Sequence, residues 1–203
     1  MAYALPMPNE PDPARRNLRA QRSILDAARA LTAEVGYGAL TIEAMAARAG
    51  VGKQTIYRWW PSKGAVLFDA LLAESADAEG RPELPDTGDF PADLRTVLRA
   101  VVAELADPHA DRLNRAVTAE IQDDETLAGE LVRRLLRPQM DATAARLRSA
   151  RAVGQITKDA DVEIAVELLF GPAFHRWLLR TGPLDAAYAD RIVASVLVGL
   201  TPR

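Results

Sequence analysis

Eight consecutive residues, Lys53-Gln54-Thr55-Ile56-Tyr57-Arg58-Trp59-Trp60, bring together the donor groups that a nucleic-acid surface accepts. Lys53, Gln54 and Arg58 carry donors for base edges or phosphates, and Thr55, Tyr57 and Trp59 offer hydroxyl and indole N–H donors for phosphate oxygens. Ile56 and Trp60 lie four apart, so they share the opposite face of a helix and point inward. Lys63 adds a cation near the start of the next helix. The plainer reading of such a set is a surface helix whose aromatic residues pack on the rest of the chain. That reading fits Trp60, whereas the donors of Tyr57 and Lys63 favour an external anion.

Other chemistry is poorly supported. The chain has no cysteine, which excludes disulfides, thiolate zinc sites and a cysteine nucleophile, and only His109 and His175 could supply imidazole. Gly50-Val51-Gly52-Lys53 suggests a phosphate loop, but that motif needs Gly where Ala47 stands and Ser or Thr where Gln54 stands. Neither a Gly-x-Ser-x-Gly elbow nor a Gly-x-Gly-x-x-Gly fingerprint occurs. Asp123-Asp124-Glu125 and the Asp159/Asp161 pair read as helix caps and solvated acids rather than a cation site, because acids are favoured at helix starts. No catalytic residue, metal or cofactor is expected.

The elements that must position the donors are helices. Ile24, Ala28, Leu31 and Val35 mark one face of a helix over 15–35, stopped by Gly36. Thr41 stands as an N-cap for a short helix ending at Gly50, and 53–60 resumes after a tight glycine turn. Pro61 ends that helix and Ser62 caps the next. Two short helices joined by such a turn and braced by a longer one outline a helix-turn-helix, whose second helix enters the major groove.

Residues 80–91 hold three prolines and two glycines, the clearest break in the chain. Beyond it, helices are expected over 92–106, 111–122, 126–152 with a kink or break at Pro138, 162–180 and 186–200, with Asp159 or Asp161 and Asp185 as caps. Period-two alternation is lacking, so the fold class is all-α.

The 203 residues carry 25 basic and 28 acidic side chains, a formal net charge of -3 that on its face argues against a polyanionic partner. The distribution reverses this. Residues 14–63 hold nine bases against three acids, Asp26, Glu34 and Glu43, so that segment carries about +6 and the remainder about -9. The longest run free of ionisable residues, 192–202, is well short of the roughly 18 apolar residues of a membrane span, and the start of the chain lacks a secretory pattern. A cytoplasmic protein without a membrane segment is expected.

The order Thr41, Ala49-Gly50-Val51, Thr55-x-Tyr57, Trp60, Ser62-Lys63 resembles the N-terminal signature of the tetracycline-repressor (TetR) family of bacterial transcription regulators. Arg137-Pro138, Gly154-Gln155-Ile156, Gly171-Pro172 and Arg176-Trp177-Leu178-Leu179 resemble a C-terminal domain of the same family, so the likeness spans most of the chain after residue 14. The resemblance implies an all-helical homodimer that binds a palindromic operator in double-stranded DNA and is released by a small-molecule effector. It implies phosphate contacts at Thr41, Tyr57 and Lys63, and a recognition helix bearing Lys53, Gln54, Thr55 and Trp59. Two departures stand out: Gly52 replaces the usual Ser or Thr cap, and Glu43 stands where some members have a base-contacting cation.

The organisation implied is a tail over 1–13, a DNA-binding domain over 14–63, a connecting helix and linker over 64–91, and an effector-binding and dimerisation domain over 92–203. The helix over 162–179 is apolar almost all round and must be buried on more than one side. Its Leu168 and Leu169, with Ile192, Val193, Val196, Leu197 and Leu200 of the last helix, are the expected dimer face, forming a four-helix bundle with the partner's copies. Burial within one chain is the competing reading. Met140, Phe170, Phe174 and Trp177 are candidates for an apolar effector pocket, against the plainer reading as core. His175 is a candidate ligand donor, against a satisfied core or interface histidine. The alternatives to a regulator are a small helical enzyme using the acids and His175 on an anionic substrate, and a purely architectural helix-turn-helix protein.

Overall fold

The computed structural model describes residues 13–77 and 85–201, with side chains over 17–73 and 85–201. The proline-rich start of the tail and residues 80–84 of the 80–91 break lie outside the described residues, as do the side chains of Arg15 and Arg16. Every regular element among the described residues is helical: α1 (Pro13–Val35), α2 (Ile42–Ala49), α3 (Lys53–Tyr57), α4 (Lys63–Asp77), α5 (Phe90–Ala106), α6 (Pro108–Glu120), α7 (Glu125–Leu131), α8 (Arg137–Ala152), α9 (Val162–Leu179) and α10 (Ala186–Leu200). The chain divides into two compact units between Ala70 and Leu71, inside α4.

In the first unit, α1 buries Ile24, Ala27, Ala28 and Leu31 and stops at Gly36, whose φ of 75° is the left-handed conformation that glycine adopts without strain. A single 3₁₀ turn, Tyr37–Ala39, leads into α2. The expected helix over 53–60 is regular only to Tyr57. Its last turn tightens, with the amides of Trp59 and Trp60 both donating to the Ile56 carbonyl, because Pro61 disfavours continued α geometry in the residue before it.

The second unit contains α5 to α10, and its core runs from Phe90, Leu94 and Leu98 of α5 through Leu147 of α8 to Val166 and Leu169 of α9 and Ile192, Val193 and Val196 of α10. Helix α5 starts at Phe90, ahead of the expected Ala92. The Asp89 carboxylate accepts from the Ala92 amide at 3.0 Å, and Pro91 sits in the first turn, where a missing N–H costs nothing. Asp107 likewise caps α6 ahead of Pro108. The interruption expected at Pro138 takes the form of a π-helical turn over Val132–Leu136, closed by the Arg137 amide on the Val132 carbonyl, which widens the helix just before the proline ring.

Two polar clusters tie distant segments of this unit. Arg146 of α8 and Asp93 of α5, both almost fully buried, pair at 2.9 Å, and the same guanidinium reaches Asp86 at 3.1 Å. Thr87 donates to Asp93 through its hydroxyl at 2.7 Å and its amide at 3.2 Å. Burial by itself would raise the Asp93 carboxyl, but the hydrogen bonds from Thr87 and Arg146 outweigh it and hold the group below the ordinary carboxylate range. Asp111 of α6 accepts from the indole of Trp177 at 2.6 Å and from Arg115 at 2.8 Å, fastening α6 to α9.

Candidate nucleic-acid interface

The turn between α2 and α3 is set by hydrogen bonds that its residue types allow. The Thr41 hydroxyl oxygen accepts from the Ala44 amide at 3.1 Å, which fixes the start of α2 and leaves the hydroxyl hydrogen available to an outside acceptor. At the other end Gly50 takes φ 68°, and the Val51 amide donates back to the Ala46 carbonyl at 3.0 Å. Gly52 provides no side-chain cap for α3; its carbonyl accepts from the Thr55 amide at 2.8 Å.

The inner face of α3 is anchored by Ile56, fully buried, and by Trp60, whose indole donates to Asp69 at 2.8 Å. Lys53, Gln54, Tyr57 and Arg58 are exposed, Tyr57 to 52%, while Thr55 and Trp59 are half-buried. The Arg58 guanidinium rests on the Trp59 ring at 4.8 Å, and the Lys63 ammonium lies 4.0 Å from the centre of the Tyr37 ring. Such cation–π contacts hold a charge in place without neutralising it. Thr41, at the head of α2, is exposed too. Two contacts carried no signal in the sequence: the Tyr37 ring beneath Lys63, and the pairing of the Glu43 carboxylate with Lys53 at 3.6 Å. The charge count had already picked out Glu43; nothing in its spacing named Lys53.

The candidates in the second unit fare differently. Leu169, Ile192, Val193, Val196 and Leu200 are buried in the chain's own core and Leu197 is half-buried against it. The reason is that α5 and α8 cover the inner sides of α9 and α10, a packing that apolar periodicity does not reveal. Leu168 is exposed, at 52%, with Ile164, Phe174 and Leu178 on the outer side of α9. The five pocket candidates differ in burial. Trp177 is buried and engaged by Asp111, Phe170 packs on the core, and Phe174, His175 and Met140 are exposed. Phe174 meets Trp177 edge-on at 5.4 Å. A cleft of about 610 Å³ lies elsewhere, lined by Gly88, Phe90, Gln155, Ile156, Leu197 and Leu200 among others.

Two of the acids on which a helical enzyme would rely serve as caps: Asp124 accepts from the Leu127 amide at 2.9 Å and Asp161 from the Ile164 amide at 3.1 Å. No group of three potential metal ligands occurs among the described residues, and no helix there is long and apolar enough to cross a membrane.

A braced helix-turn-helix whose second helix presents cation, amide and hydroxyl donors, followed by a larger helical unit, defines a DNA-binding regulator. Comparison with known proteins agrees. Residues 24–70 match the family model described as bacterial regulatory proteins, tetR family, and 84–196 match the tetracyclin repressor-like C-terminal domain. The chain is 31% identical over 179 residues to the HTH-type transcriptional regulator YdeS of Bacillus subtilis, covering 88% of each. It is also 31% identical to the DNA-binding transcriptional repressor TetR of Mycobacteroides abscessus, over 81% of this chain and 85% of that one. Among solved structures, the TetR family transcription regulator SCO0332 superposes with a TM-score of 0.69 at 35% identity, over 91% of this chain and all of that one. The chain belongs to the TetR family, and it is a DNA-binding transcriptional regulator.

Proposed function

We propose that the protein is a cytoplasmic, homodimeric repressor that holds a palindromic operator and is released by a small-molecule effector, with no catalytic activity of its own. The observation that carries this reading is the exposed set Lys53, Gln54, Tyr57 and Arg58 on a helix anchored by Ile56 and Trp60, flanked by Thr41 and Lys63. Residues 14–63 act as the DNA-binding domain and 92–203 as the effector and dimerisation domain, joined through 64–91. Recognition helices of two subunits occupy successive major grooves, about 34–36 Å apart on one face of the duplex. The dimer forms through the outer side of α9, with Ile164, Leu168, Phe174 and Leu178, a face that one chain leaves open to water. The effector acts by binding the operator-incompetent arrangement more tightly than the competent one.

Lys63 and Tyr57 are assigned to phosphates and Gln54 to a base edge, and these roles separate by experiment. The double variant Tyr57→Phe, Lys63→Ala should weaken binding to all duplexes alike. Each lost cation–phosphate contact should flatten the plot of log K against log salt by about 0.9, or about 1.8 per dimer. Gln54→Ala should change which operator is preferred while leaving the slope in place. Operator affinity and salt slope unchanged in the double variant would refute the interface.

A further inference from the structure

We propose that Glu43 and Lys53 act together as a reader of a single C·G base pair, the carboxylate taking the cytosine and the ammonium the guanine. This rests on the assignment of α3 as the groove-entering helix. Residues 14–63 contain three acids, and each is matched to a base. Asp26 pairs with Arg29 along α1, and Glu34 forms a two-pronged bridge to Arg48, with contacts of 3.0 and 2.6 Å, that fastens α1 to α2. Glu43 alone of the three is matched to a residue of α3. It sits in the first turn of α2, Lys53 opens α3, the two charges are 3.6 Å apart, and both side chains are more than half exposed.

An acid at a surface that meets phosphates lowers affinity unless it finds donors there. On the major-groove edge those donors are base amines, N4 of cytosine and N6 of adenine. Adenine places its N7 acceptor beside that amine, where it opposes a second carboxylate oxygen, so cytosine is the better match. The guanine paired with it presents O6 and N7, both acceptors suited to an ammonium. A carboxylate and an ammonium held a few ångströms apart are therefore complementary to one C·G pair. The same pairing draws Lys53 away from the phosphates, which exchanges general affinity for selectivity.

The test compares the full-length protein with Glu43→Ala and Glu43→Gln, by selection from a random duplex pool and by salt titration on the winning sequence. The wild type should require C·G at one position of each half-site. Glu43→Ala should lose about tenfold discrimination at that position only. With Lys53 returned to phosphate, its salt slope should steepen by about 0.9 per subunit. Glu43→Gln should move the preference at that position towards A·T, because a carboxamide pairs with N6 and N7 of adenine together. Wild-type base preferences at every position in both variants, or an equal loss of affinity for all sequences, would overturn the assignment and leave Glu43 as a residue that only positions Lys53. A wild type with no sequence preference would instead overturn the reading of α3 on which it rests.

Discussion

Replacing Arg146 with Met tests how the second unit is held together. The substitution keeps most of the stem volume and removes the guanidinium, which pairs with Asp93 at 2.9 Å and Asp86 at 3.1 Å, donates to the Pro85 carbonyl at 3.3 Å, and lies 5.0 Å from the Phe90 ring centre. What remains is the Asp93 carboxylate, 2% exposed, with only the two hydrogen bonds from Thr87. Breaking a buried pair from one side costs about 3–5 kcal/mol, chiefly because the other charge stays buried without its partner. For a unit of this size that is a fall of roughly 10–20 °C in the unfolding midpoint. Removing both charges, as Asp93→Leu with Arg146→Met, should recover more than half of the loss, since apolar replacements of a buried pair are often close to neutral.

Acid adds an independent check on the same pair. The Asp93 pKa is depressed in the folded protein, so its stabilisation is complete above the unfolded carboxylate range, near pH 4, and is lost as pH falls through the lower folded value. The stability gap between wild type and Asp93→Asn should therefore be level from about pH 7 to 5 and shrink below about pH 4. Urea unfolding at one protein concentration, so that association does not enter, measures both effects. A cost below about 1 kcal/mol for Arg146→Met, or a double variant no more stable than the single, would refute the desolvation reasoning.

Two further outcomes follow from burial and backbone geometry. Leu168→Glu, on the exposed side of α9, should shift the protein towards monomer in sedimentation with its helix content kept, whereas Leu169→Ala, buried beside it, should cost about 2–5 kcal/mol of stability; the reverse pattern would place the dimer elsewhere. Gly50→Ala puts a side chain at φ 68° where nothing within 4 Å obstructs it, so the penalty is purely one of backbone, about 1–2 kcal/mol of unfolding stability, and a neutral result would show that the turn relaxes.

What a sequence makes legible here is what local chemistry decides. Thr41, Ser62, Asp161 and Asp185 could be read as caps because a short oxygen-bearing side chain ahead of an apolar run has few other uses, and each does accept from an amide three residues on. Ile56 and Trp60 could be placed inside because four residues make nearly one helical turn. Pro91 misled, since a proline that reads as a break from one side is equally a good first-turn residue from the other. Helix α9 shows where local reasoning stops. Its apolar residues surround it, so periodicity could say that two sides need cover but not that α5 and α8 cover Leu169 while Leu168 stays exposed. The Arg146 and Asp93 pair, 53 residues apart, carries no local signal at all.

Charge stands between these extremes. The sum over 14–63 identified the basic module, but the behaviour of its surface depends on which acid meets which base. Asp26 and Glu34 balance arginines of the scaffold helices, whereas the cations of Arg58 and Lys63 rest on aromatic rings that leave their charge intact. The positive field is thus kept at the edge of α3, and the acid set into that edge, Glu43, is the one whose removal should make the protein bind DNA more tightly in general and less selectively in particular.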